Sequence, residues 1–77
     1  MEQLEGKILS VIFRNDENGY TVLNIDTEDG ETVCVGSCFP VRPGESVKLS
    51  GGYVTHSKHG RQFEFKALET GSRSEER

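Results

Sequence analysis

The sequence predicts one small all-β domain, and three observations carry that prediction. Glu45 to Thr55 (ESVKLSGGYVT) and Arg61 to Glu69 (RQFEFKALE) place apolar residues at alternate positions, the period of a strand with one buried face. Nine glycines stand against two prolines, Pro40 and Pro43, which suits short strands joined by tight turns. No stretch carries the spacing of an amphipathic helix.

The elements follow in order. Leu4 to Arg14 (LEGKILSVIFR) is rich in apolar and β-branched residues but does not hold one phase: Ile8 and Ile12 share a parity, while Leu9, Val11 and Phe13 have the other. A long first strand that bends or bulges near Gly6 to Ser10 reconciles the two. Asn18-Gly19 in the polar segment Asn15 to Gly19 reverses the chain into a second strand, Tyr20 to Thr27, for which a change of phase is also expected. Glu28-Asp29-Gly30 turns into a third strand, Glu31 to Ser37, on which Val33 and Val35 share a face. Cys38 to Gly44 holds both prolines and reads as a crossover. Strand four, Glu45 to Thr55, puts Val47, Leu49 and Tyr53 on one face, with Gly51-Gly52 allowing sharp curvature. A polar loop, His56 to Gly60, leads to strand five, Arg61 to Glu69, with Phe63 and Phe65 inward. A meander, one crossover and a final hairpin fit a small five-stranded, partly open Greek-key barrel of the OB type, with an SH3-like barrel as the alternative. The expected domain is 1–69, followed by a disordered tail or truncated linker, 70–77.

Size and composition bound the function. A chain of 77 residues buries about 60 to 65 % of its unfolded surface, so the core is thin and four Phe and two Tyr fill much of it. Neither a signal peptide nor an apolar run long enough for a membrane span is present, and a soluble, cytoplasmic monomer is expected. Two cysteines, Cys34 and Cys38, are too few to staple the fold, and no disulfide is expected. The net charge of −4 argues against strong non-specific nucleic-acid binding. Its distribution is uneven: Asp16, Glu17, Asp26, Glu28, Asp29 and Glu31 crowd one segment without a base, whereas Arg42, Lys48, Lys58 and Arg61 follow with only Glu45 among them.

LEGKILSVIFRNDENGYTVLNI, EDGETVCVGS and PGESVKLSGGYVTHSKHGRQFEF together resemble the N-terminal region of the RecD-like (RecD/TraA) ATP-dependent DNA helicases of bacteria, over about Leu4 to Leu68. The FRNDENGYTV hairpin and the H-x-K-x-G-R-Q-F segment are its most distinctive parts. The resemblance implies an accessory N-terminal module of a large DNA repair and recombination enzyme that moves 5′ to 3′ on single-stranded DNA, with ATP and Mg²⁺ bound by the parent's motor. No G-x-x-x-x-G-K-[ST] segment is present, so neither cofactor is expected on this fragment.

The sharpest constellation is His56-x-Lys58-His59-x-Arg61, a cationic hairpin tip. In OB barrels the loops between strands one and two and between strands four and five flank the face that receives single strands. Lys58 and Arg61 are expected to contact phosphate with help from His56 and His59, Arg14 to be the cation of the facing loop, and Tyr20 and Tyr53 to offer stacking if they point outward. Asp16 and Glu17 beside Arg14 oppose a phosphate, so binding should be weak and salt-sensitive. The bland alternatives are a solvated turn and a Tyr53 turned into the core. Cys34, Cys38, His56 and His59 supply a zinc ligand set in name. Strand five parallel to strand three, however, would put the histidine loop about 13 Å or more along the strand from Cys38, and no metal site is expected. The turn acids Asp16, Glu17, Asp26, Glu28 and Asp29 serve solvation, and no catalytic residue is expected. A second reading is a docking module whose acidic hairpin surface, or an unpaired edge beside the crossover at Phe39-Pro40-Val41, contacts the rest of the helicase or another protein, against which stands a Phe39 that plugs one barrel end.

Overall fold

The computed structural model describes residues 1–58 and 60–70. Five strands follow in order: β1 (Glu2–Asn15), β2 (Tyr20–Thr27), β3 (Gly30–Ser37), β4 (Ser46–His56) and β5 (Gly60–Thr70). They form a closed barrel in the order β1-β2-β3-β5-β4, with β1 returning to β4. The all-β class and the OB-type order are those the sequence predicts. Closure corrects the expected partial opening, because β3 and β5 meet in a short parallel contact, Cys34 with Phe63 and Val35 with Glu64. The expected tail beyond Thr70 lies outside the described residues.

The first strand serves two neighbours. Its start pairs with β4 (Leu4 with Leu49), and from Lys7 onward it pairs with β2. Against β2 it carries two extra residues, Leu9 between Ile8 and Ser10 and Ile12 between Val11 and Phe13. Each insertion shifts the side-chain phase by one, so Ile8, Val11 and Arg14 all oppose inward residues of β2 at a spacing of three. The bend was expected near Gly6 to Ser10; the second bulge lies beyond that window. No phase change occurs in β2, contrary to expectation: Thr21, Leu23 and Ile25 are buried without interruption, since the extra residues sit on its partner.

The interior is small and aromatic. Ile8, Leu23, Ile25, Cys34, Val47, Leu49, Phe63 and Phe65 form the buried cluster, and Leu4, Val11, Cys38, Val41, Tyr53 and Leu68 pack against it. Burial of each large apolar side chain contributes about 1.5 to 3 kcal/mol, and a barrel with so few of them depends on close backbone packing as well. That packing is tightest where β5 carries its own extra residue, Lys66, opposite the Ser50–Gly51 step of β4. A Cβ on Gly51 would lie 2.0 Å from the Glu64 carbonyl oxygen, whereas one on Gly52 would meet nothing within 4 Å. Close approach, more than curvature, is what requires glycine at 51.

Phe39 does not plug the barrel. It is 50 % exposed in the crossover between β3 and β4, where Cys38 and Val41 are the residues that pack on the core. The crossover holds no helix and is tied to the bulged part of β1, with Ile8 N–H donating to Glu45 O at 2.9 Å and Gly44 N–H donating to Ile8 O at 2.7 Å.

Gly51→Ala is expected to lower unfolding free energy by about 3 kcal/mol or more, because the atoms a Cβ would meet first, in Glu64 and Phe65, are all backbone. Gly52→Ala should change it by less than about 0.5 kcal/mol. Urea denaturation of the two variants checks this contrast, and equal effects would contradict the close-packing account.

Candidate nucleic-acid interface

The outer surface of β1, β2 and β3 is unusually apolar. The bulges turn Phe13 outward opposite Val22, and Val22 in turn opposes Val35. Val33 and Val35 share the face opposite Cys34, which is in the core; Val33 is half-buried and Val35, at 7 % exposure, forms the floor of that face rather than open surface. Ile12 and Phe13 are 57 % and 52 % exposed, and the Phe13 and Tyr20 rings stand 6.4 Å apart at 57°. Ile12, Tyr20, Val22, Val33, Val35, His56 and Gln62 line a shallow depression of about 490 Å³. It runs from the aromatic pair to the base of the β4–β5 hairpin.

That hairpin brings the cations. Lys58 is exposed in the turn, and its backbone N–H donates to His56 Nδ1 at 3.1 Å. Arg61 pairs with Thr55 on the opposite strand and lies 4.5 Å from the Tyr53 ring centroid. His59 lies outside the described residues.

Two of the expected contact residues are placed elsewhere. Arg14 occupies an inward position, with a side chain 20 % exposed, and donates three hydrogen bonds: Nε to Asp16 Oδ1 at 2.8 Å, and a terminal nitrogen to Thr21 Oγ1 at 2.8 Å and to Cys38 O at 3.0 Å. Thr21 is fully buried and donates to Gly19 O, so Arg14 and Thr21 satisfy each other at the barrel end that Phe39 leaves uncovered. Its charge is committed to folding the β1–β2 turn and the crossover onto that end. Tyr53 turns into the core phase and meets Phe63 in a T-shaped contact at 5.1 Å and 81°, which leaves it unsuited to receive a base. Tyr20 is on the open face, 39 % exposed.

Sequence reasoning missed Ile12 and Phe13 as surface residues. A usable signal was present in Ile8, Val11 and Arg14, whose three-residue spacing in a strand implies an inserted residue between each pair.

Other concave surfaces do not fit a phosphate chain. A larger groove of about 860 Å³ at the β2–β3 turn is lined by Glu5, Asp26, Glu28 and Asp29, and its Lys48 lies 3.9 Å from Glu5. Acids outnumber bases there. Cys34 is fully buried, and desolvation pushes its thiol up to about 12, so it stays protonated and inert at neutral pH. Among the described residues no group of three or more His, Cys, Asp or Glu can hold a metal ion.

A closed five-stranded barrel in this order defines an OB-fold domain. The model of the OB-fold domain of the ATP-dependent DNA helicase YrrC matches residues 1–72, and the chain belongs to that family. No curated protein matches it.

Arg14→Ala should destabilise the domain by about 1 to 3 kcal/mol, since it takes the guanidinium donor from the Cys38 carbonyl and leaves the buried Thr21 hydroxyl oxygen with only the weak Cys38 thiol donor at 3.6 Å. Its affinity for oligonucleotide, measured under conditions where the variant is folded, should match the parent's. A weaker complex with unchanged stability would return Arg14 to the interface.

Proposed function

We propose that this chain is an accessory OB module of an ATP-dependent DNA helicase, and that it guides single-stranded DNA with low affinity across the β2–β3 face. The observation that carries the reading is the Phe13–Tyr20 pair, open to solvent on the face whose far edge is the Lys58–Arg61 hairpin. Bases stack on exposed aromatic rings at about 1 to 3 kcal/mol each, and the hairpin cations neutralise the adjoining phosphates. Val22, Val33 and Val35 between them offer contact without hydrogen-bond readout, which favours tolerance of sequence. The parent would be a RecD-like enzyme moving 5′ to 3′, as the FRNDENGYTV and H-x-K-x-G-R-Q-F segments suggest, with ATP and Mg²⁺ in its motor. A cytoplasmic protein is part of the same reading.

Affinity is limited by charge. Arg14 is engaged within the fold, Lys66 is 3.4 Å from Glu64, and Asp16 and Glu17 lie at the aromatic end. Lys58 and Arg61 therefore supply most of the phosphate neutralisation, which sets a log–log salt slope of about −1.4 for single strands and a Kd on the order of 10⁻⁴ M at physiological salt. The exposed Phe39 favours a second reading, in which the crossover docks on the remaining helicase domains.

Fluorescence anisotropy with labelled oligothymidylate at low salt tests the proposal. Phe13→Ala and Tyr20→Ala are each expected to weaken binding by about fivefold or more. Lys58→Ala/Arg61→Ala should flatten the salt dependence. Equal binding by all variants, or no binding by the parent domain, sinks the DNA reading and leaves docking.

A further inference from the structure

Tyr53 and Arg61 share the inward phase of the β4–β5 ladder, Tyr53 opposite Phe63 and Arg61 opposite Thr55. They stand in series from the core outward. Phe63 is fully buried, the Tyr53 ring meets it edge-on at 5.1 Å and 81°, and the Arg61 guanidinium carbon lies 4.5 Å from the Tyr53 ring centroid. A rigid core ring thus holds a second ring, and that ring holds a cation at the exposed end of the hairpin.

The consequence concerns how Arg61 meets a phosphate. An unrestrained arginine surrenders rotamer freedom when it is fixed on a ligand. Stacking on an aromatic surface restrains the guanidinium beforehand and leaves its in-plane N–H groups able to bond outward. Among the described residues no hydrogen bond or ion pair engages Arg61, in contrast to Arg14, whose guanidinium makes three. Lysine at this position would keep the charge but lose both the stacking plane and the two-pronged geometry.

We propose that Tyr53 is a positioning residue, a pedestal on the core that holds Arg61 ready to take one phosphodiester group of a single strand through paired N–H donors. This rests on the single-stranded DNA reading above and adds to it a division of labour between the tyrosines. Tyr20 receives a base. Tyr53 receives no base and acts through Arg61.

The test is a double-mutant cycle with labelled oligothymidylate at low salt, accompanied by thermal unfolding of each variant. Tyr53→Leu keeps apolar contact with Phe63 but removes the π face, and it should weaken binding by about two- to fivefold. Tyr53→Phe keeps the face and should bind like the parent, while Arg61→Lys should lose as much as Tyr53→Leu. In the Arg61→Ala background, Tyr53→Leu should cause no further loss. Independent losses in the cycle, or a Tyr53→Phe variant as weak as Tyr53→Leu, would overturn the pedestal while leaving the DNA reading in place. No binding by the parent domain would overturn both.

Discussion

In β1 an extra residue is inserted against β2 twice within a few positions, and most of what distinguishes this barrel depends on that. Leu9 and Ile12 each advance the strand by one side-chain phase, so Ile8, Val11 and Arg14 face inward in succession although they are three residues apart. Two surfaces result. Inside, Arg14 reaches the buried Thr21 hydroxyl and the Cys38 carbonyl and seals one barrel end with hydrogen bonds where the crossover supplies no helix. Outside, Ile12 and Phe13 become solvent-exposed beside Tyr20, and the β1–β2–β3 face gains its aromatic end. A strand of single phase would have buried one set and lost the other.

The same geometry separates the charges. Arg14 is drawn away from the open face, which leaves Asp16 and Glu17 in the turn there, while the other end of the apolar depression is lined by His56 and Gln62 of the hairpin that carries Lys58 and Arg61. A chain of phosphates crossing this face is attracted at one edge and repelled near the other, and stacking has to supply much of the remaining free energy. On the reading proposed above, weak, salt-sensitive attachment suits a module that lets a strand pass. Membership in the OB-fold family of the YrrC helicase, whose model matches residues 1–72, fits such an auxiliary part, since the chemistry of strand separation needs a motor with a phosphate-binding loop.

Much of the fold was legible in the sequence because strands with one buried face announce themselves. Tyr20–Thr27 has the predicted limits, and Val47, Leu49, Tyr53, Phe63 and Phe65 face the core as their alternation requires. The cationic hairpin was equally visible, since Lys58 and Arg61 interrupt an acidic chain. What escaped were features that a period of two cannot encode. The bulges conceal Phe13 as a surface ring and Arg14 as an inward-facing side chain, and the run of mixed parity from Ile8 to Phe13 signals a disturbance without locating it. Phe39 was harder still: prolines on either side of Val41 mark an irregular crossover, but which of Phe39 and Val41 turns inward follows from where Gly44 and Glu45 are tied to Ile8, a long-range constraint.

The central claim is that the bulges build the working face. Its most direct test is a ¹H–¹⁵N correlation titration of the domain with an oligothymidylate of about ten nucleotides at low salt. The account predicts shift changes concentrated at Phe13, Tyr20, Val22, Val33 and Val35 and in the hairpin from Lys58 to Gln62, with Arg14 and the Glu5–Asp29 groove unmoved. Changes centred on that groove or on Phe39, or none at all at saturating oligonucleotide, would contradict it.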